Sequence, residues 1–126
     1  MTTEGLLLFA HGARDPAWAR PFEAIAARIA AARPELPLAL GYLELMQPDI
    51  ASAADSLLAR GCTRIHIVPM FLGASGHVRR DVPPLVEALR ARHGGEWLLH
   101  PAIGEQEAVS AAMAAASLAL ITPSTP

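Results

Sequence analysis

Four short apolar runs, Leu6–Ala10, Leu36–Leu43, Arg64–Leu72 and Trp97–Leu99, recur along this chain, and a stretch of helical character follows each one. The first is apolar throughout, as expected of a strand buried on both faces. The third, RIHIVPMFL, is rich in β-branched residues. Between the runs lie Pro16–Ala32, with Phe22, Ile25, Ala26 and Ile29 on one stripe, and Ile50–Arg60, with Ile50, Ala53, Ala54, Leu57 and Leu58 on another. A further helix is expected from Asp81-Val82-Pro83-Pro84 to about Arg92, and a last one over Glu105–Leu120. Pro21 fits only in the first turn of its helix or at a kink, and Gly61 marks a helix stop. The resulting order, β-α-β-α-β-α-β-α, constrains the fold strongly. It implies a flavodoxin-like α/β three-layer sandwich with a four-stranded parallel sheet, right-handed crossovers and strand order 2-1-3-4. Residues 1–121 make one domain, of a size that buries a single core, and the tail TPSTP, residues 122–126, is expected to fray.

Composition excludes several classes. The chain is 52% apolar and 17% charged, with a formal net charge of −2, which argues against nucleic acid as a partner. No apolar run approaches the roughly 18–20 residues that a membrane span needs, so no membrane partner is expected and the cytoplasm is the expected compartment. The lone Cys62 forms no zinc or disulfide pattern and reads as a small buried residue.

In parallel α/β sheets, ligands bind beyond the carboxyl ends of the strands, at the point where strand order reverses. Here that point lies between strands 1 and 3. Strand 1 ends at His11, strand 2 at Glu44, and the glycine-containing loop Gly73–His77 after strand 3 carries His77. Each residue alone has an ordinary explanation, as a hydrogen-bonding or helix-capping group. Together they place two imidazoles and a carboxylate on one edge, a donor set suited to a borderline divalent metal. Gly73 and Gly76 point to close backbone approach in that loop. Arg14, Arg79 and Arg80 are expected in loops on the same edge, where guanidinium suits carboxylate or phosphate. The other histidines stand apart. His66 is expected to face the helices, His93 to end a helix, and His100 to end strand 4. No P-loop, GxGxxG or GxSxG pattern is present.

HGARDP after strand 1, LELMQPDI after strand 2 and VPMFLGASGHVRRDVP after strand 3 together resemble the class II tetrapyrrole chelatases, and more narrowly the short CbiX-type sirohydrochlorin cobaltochelatases. The resemblance runs from about Leu6 to Leu120. One departure is Ala13, where the family usually has serine. It implies insertion of a divalent metal into sirohydrochlorin without ATP. Co2+ would be the first candidate and Fe2+ or Ni2+ alternatives, each as substrate rather than a permanently bound cofactor. By the same resemblance His11 and His77 match the metal-binding and catalytic histidines, and Glu44 an acidic position near the same cleft, where it is expected to act in catalysis by aiding proton removal or coordination. Gly12, Arg14, Ser75, Gly76, Arg79 and Arg80 would line the substrate cleft. One such domain per chain implies a homodimer whose copies enclose the macrocycle, with Ala108–Leu120 either a contact between copies or a core-facing helix. A non-catalytic metal carrier using the same histidines is the alternative from another class.

Overall fold

The computed structural model describes residues 2–73 and 76–121, with the backbone alone for His77 and Val78. Four strands, β1 (Glu4–Ala10), β2 (Leu38–Tyr42), β3 (Arg64–Pro69) and β4 (Glu96–Leu99), alternate with four helices. These are α1 (Arg20–Ala32), α2 (Ile50–Ala59), α3 (Gly76–His93) and α4 (Glu107–Leu120), with 3-10 turns at Pro16–Ala19 and Ile103–Glu105. The sheet is wholly parallel in the order β2-β1-β3-β4. Strand order and parallelism are therefore as the alternation implies.

The core lies on one side of this sheet. Leu7 and Phe9 of β1, Ile65 and Ile67 of β3 and Trp97 of β4 pack against Ile50, Ala53, Ala54 and Leu57 of α2 and Val82, Val86 and Leu89 of α3. Cys62 is buried in this cluster, and burial pushes its thiol pKa up, so it is the small apolar residue the sequence indicated. On the opposite face Ala10, Ala19 and Tyr42 gather Phe22, Leu40 and Met46. α1 covers that side over β2, and its stripe Phe22, Ile25, Ala26, Ile29 is half-buried with no fully buried residue.

Local chemistry sets the boundaries. The Asp15 carboxylate accepts a hydrogen bond from Ala17 N–H at 2.9 Å, and Pro16 opens the 3-10 turn that leads into α1. Pro21 falls in the first turn of α1, where no intrahelical donor is needed. Asp49 caps α2 by accepting from Ser52 N–H at 2.8 Å, and Gly61, at φ 85°, terminates it.

The third strand is shorter than its apolar run, ending at buried Pro69, because Phe71 instead accepts a hydrogen bond from Gly104 N–H at 2.9 Å in the turn after β4. The third helix departs more. It begins at Gly76 rather than near Asp81, and carries Pro83 and Pro84 inside it. These prolines cannot donate to the carbonyls of Arg79 and Arg80. Val82, Val86 and Leu89, seated in the core on either side of them, hold the helix through the interruption. Arg79 and Arg80 accordingly lie in a helix and not in a loop. The tail 122–126 lies outside the described residues.

Candidate functional site

Ladder hydrogen bonding continues past the ends of the central strands. Leu43 N–H donates to Ala10 C=O at 2.9 Å and Glu44 N–H to His11 C=O at 3.1 Å, so the two chain segments leave the sheet together. Gly12 makes this possible. It sits at φ 98°, and a Cβ there would fall 1.9 Å from the Glu44 carbonyl oxygen. Only glycine tolerates both the backbone conformation and the approach. The Glu44 side chain consequently meets His11, with 2.9 Å from Oε1 to Nε2. His11 is 38% and Glu44 53% exposed on their side chains, so the pair faces outward at the switch point between β1 and β3.

A single-residue turn follows. Leu45 adopts φ 67°, and Met46 N–H donates to the Glu44 carbonyl at 2.8 Å. A left-handed leucine is a strained choice. It redirects the chain immediately after the residue that meets His11.

Beside the pair lies an apolar cavity of about 440 Å³ lined by Trp18, Phe22, Ile25, Met70, Phe71, Leu72 and Ile103. Phe71 joins it to the pair, its ring standing edge-on to His11 at 6.3 Å and to Phe9 at 5.6 Å. Trp18 and Phe22 form a second aromatic contact at 5.7 Å, with Trp18 45% exposed. The wall is closed by a tight backbone contact, since a Cβ on Gly104 would lie 2.1 Å from the Leu72 carbonyl oxygen. Volume and lining suit a planar apolar ligand. Tyr42 lies two residues before Glu44. Burial, with the Glu23 charge, pushes its hydroxyl pKa up, so it remains a neutral phenol at physiological pH.

Of the residues singled out from sequence, His11, Gly12 and Glu44 are brought together directly. Arg14 is exposed in the loop that follows β1. Gly76, His77, Arg79 and Arg80 occupy the first turns of α3, which leaves the carboxyl end of β3 on the same edge; Arg80 Nε lies 3.7 Å from the Asp81 carboxylate. Ser75 lies outside the described residues. Among the described residues nothing lies within 4 Å of a Cβ position on Gly73 or Gly76. The close approaches that demand glycine are at Gly12 and Gly104 instead, because there the packing is backbone against backbone. Among the described residues no group of three His, Cys, Asp or Glu side chains is set to hold a metal ion. The described donors are His11 and Glu44.

The remaining histidines have structural partners. His93 closes α3 and approaches Asp55 at 3.5 Å and the Trp97 ring at 6.2 Å. Among the described residues, the hydrogen-bond partners of His66 lie on and beside the sheet strands and not on a helix. His66 hydrogen-bonds Glu4 through Nε2 at 2.8 Å and His100 through Nδ1 at 2.9 Å, the two rings stacked 5.2 Å apart. This chain lies on the sheet face opposite the core and joins β1, β3 and β4, away from the His11 edge. The hydrogen bond from His66 holds the Glu4 carboxyl below its ordinary range.

Sequence reasoning missed the aromatic and backbone parts of the site. Trp18, Phe71 and Gly104 reach it by contacts between segments distant in sequence, which no local spacing reports.

The fold and the edge geometry define a parallel α/β domain that presents an imidazole–carboxylate pair and an aromatic cavity at its switch point. The CbiX family model matches residues 5–118, and the chain belongs to the CbiX family. The sirohydrochlorin cobaltochelatase of Methanococcoides burtonii is 31% identical over 83 residues, 66% of this chain and 63% of that protein. That of Methanothermobacter thermautotrophicus is 32% identical over 82 residues, 65% of this chain and 57% of that protein. The matched stretch thus spans about three fifths of these curated relatives. A cobalamin (vitamin B12) biosynthesis CbiX protein from Marinobacter aquaeolei VT8 superimposes with a TM-score of 0.84 at 29% identity, over 94% of this chain and 97% of that one. SirB from Bacillus subtilis with Fe3+ shares the fold, with a TM-score of 0.81 at 22% identity over 97% of this chain and 49% of that one.

Proposed function

We propose that this protein inserts a divalent metal, cobalt first among the candidates, into sirohydrochlorin without ATP. The observation that carries this reading is the His11–Glu44 pair standing at the switch point beside an aromatic cavity of about 440 Å³. The named activity of the curated relatives, sirohydrochlorin cobaltochelatase, supports this reading.

Metallation exchanges two pyrrole protons for one dication while the metal sheds water. Each part has a counterpart here. With His11 Nε2–H donating to Glu44, the lone pair of the neutral ring lies on Nδ1, where it can hold a metal or take a proton. An adjacent carboxylate strengthens such a ligand and stabilises the imidazolium formed on proton transfer. Phe71, Trp18 and Phe22 offer flat apolar surface to a macrocycle, and Arg14, Arg79 and Arg80 suit its carboxylates. His77 supplies the second imidazole in this reading. The metal enters as substrate, and two copies of the chain enclose the ring.

The rival reading, a metal carrier, predicts metal binding without turnover. Incubating the protein with sirohydrochlorin and then with Co2+, Fe2+ or Ni2+ in turn, while following the absorbance spectrum, separates the two. The enzyme reading expects a shift on sirohydrochlorin binding and catalytic appearance of the metallated spectrum. No shift and no acceleration over the protein-free rate would leave the carrier reading in its place.

A further inference from the structure

The hydrogen bond to Glu44 fixes one atom of the His11 ring and leaves the direction of the ring to other contacts. It is 2.9 Å long and made to a carboxylate that is 53% exposed. An imidazole held at Nε2 alone can still swing about its side-chain torsions. Metal holding and proton transfer at Nδ1 both need a lone pair aimed in one direction.

Phe71 meets that need. Its ring stands at 68° to the imidazole with centroids 6.3 Å apart, and at 82° to Phe9 with centroids 5.6 Å apart. Both are the edge-to-face arrangement that aromatic pairs favour. Phe9 is 1% exposed in the core, so three rings in succession, Phe9, Phe71 and His11, join the core to the site. The backbone on either side of Phe71 is fixed as well. Met70 N–H donates to Phe9 C=O at 2.7 Å, and Phe71 C=O accepts from Gly104 N–H at 2.9 Å. Gly104 lies in the 3-10 turn Ile103–Glu105, and a Cβ on it would overlap the Leu72 backbone. That turn is itself anchored, because Ala102 before it is 4% exposed and its carbonyl accepts from Glu105 N–H at 2.9 Å. Phe71 is thus clamped between Phe9 in the core and the turn after β4.

We propose that Phe71 is a positioning residue for His11, and that Gly104 positions Phe71. The kinetic consequence rests on the chelatase reading, whereas the effect on the His11 ring does not. A side chain that only lines the cavity contributes uniform binding and enters KM. One that aims Nδ1 acts after the substrate is bound and enters kcat. Gly104 thereby bears on the reaction from a turn without a reactive group. A methyl added there must push the Leu72 backbone, and Phe71 with it, because a close-packed interior transmits displacement. A shift of about 1 Å at the imidazole is enough to lower the rate by about a hundredfold.

Two variants test this. Phe71→Leu keeps the position apolar and removes the ring, and Gly104→Ala keeps the ring and displaces its backbone. The first readout is the NMR order parameter of the His11 Cε1–H bond in the metal-free protein. It should be about 0.8 or above in the unaltered protein and below about 0.6 in both variants, with the backbone amides of β1 unchanged. The second is cobalt insertion into sirohydrochlorin, where kcat should fall by about a hundredfold and KM stay within about threefold. If Gly104→Ala does not fold, Phe71→Leu carries both readouts. An ordered His11 ring in folded Phe71→Leu overturns the inference. So does a raised KM with kcat retained, the signature of a cavity wall and nothing more. If the unaltered protein inserts no metal, the chelatase reading fails and the ring order alone decides whether Phe71 positions His11.

Discussion

At the scale of single residues, the site depends on a glycine as much as on its histidine. Gly12 combines φ 98° with a Cβ position 1.9 Å from the Glu44 carbonyl oxygen, whereas Gly61, at φ 85°, opens onto empty space. Gly61→Ala should thus cost backbone strain alone, about 1 kcal/mol. Gly12→Ala must also push the Glu44 segment away from β1, and should cost about 2–4 kcal/mol. Thermal denaturation of the two variants measures the difference, and equal losses would contradict the close packing. His11 and Glu44 are legible in the sequence because strand ends at a switch point are set by topology, and topology is written in the alternation of apolar runs. Phe71 and Gly104 are not, because their roles come from one loop pressing on another. The strained Leu45 leaves no signal either, since nothing in its side chain asks for a left-handed backbone.

At the scale of elements, two helices answer to different physics. α2 is begun by a carboxylate. Asp49, accepting from Ser52 N–H, is held below its ordinary value of 3.8, and Glu4, bonded by His66, below 4.5. Lowered carboxylates bind fewer protons in the folded state than in the unfolded one. Their contribution is therefore complete above those ordinary values and is lost as pH falls through the lower folded ones. The denaturant midpoint should hold steady down to about pH 5 and decline below that. Asp49→Asn, which keeps a capping oxygen, should leave the midpoint near pH 7 unchanged and flatten part of the acid decline. An identical acid profile in the variant would contradict the assignment.

α3 shows where sequence punctuation misleads. Pro83-Pro84 reads as a helix start, yet the helix begins at Gly76 because core contacts on both sides outweigh the two missing donors. The side of the sheet facing α2 and α3 is where stability concentrates. Phe9→Ala, at a residue 1% exposed, should cost about 3–5 kcal/mol by chemical denaturation, well beyond any surface change.

At the scale of the whole molecule, fold class and strand order are readable from the sequence because four buried strands separated by single helices leave few topologies open. The placement of α4 is not. An alanine-rich apolar helix reads first as core-facing, yet none of the residues of α4 is buried. The His11–Glu44 pair and the aromatic cavity lie along one rim of the molecule, at the carboxyl edge of the sheet. The central claim is that this rim metallates a tetrapyrrole through its histidines. The most direct measurement is the initial rate of cobalt insertion into sirohydrochlorin, followed by absorbance, for the unaltered protein, His11→Ala and His77→Ala. Removing a metal-holding, proton-accepting imidazole should lower the rate by about a hundredfold or more in each variant, with thermal stability retained. Near-normal rates in both variants would contradict the account.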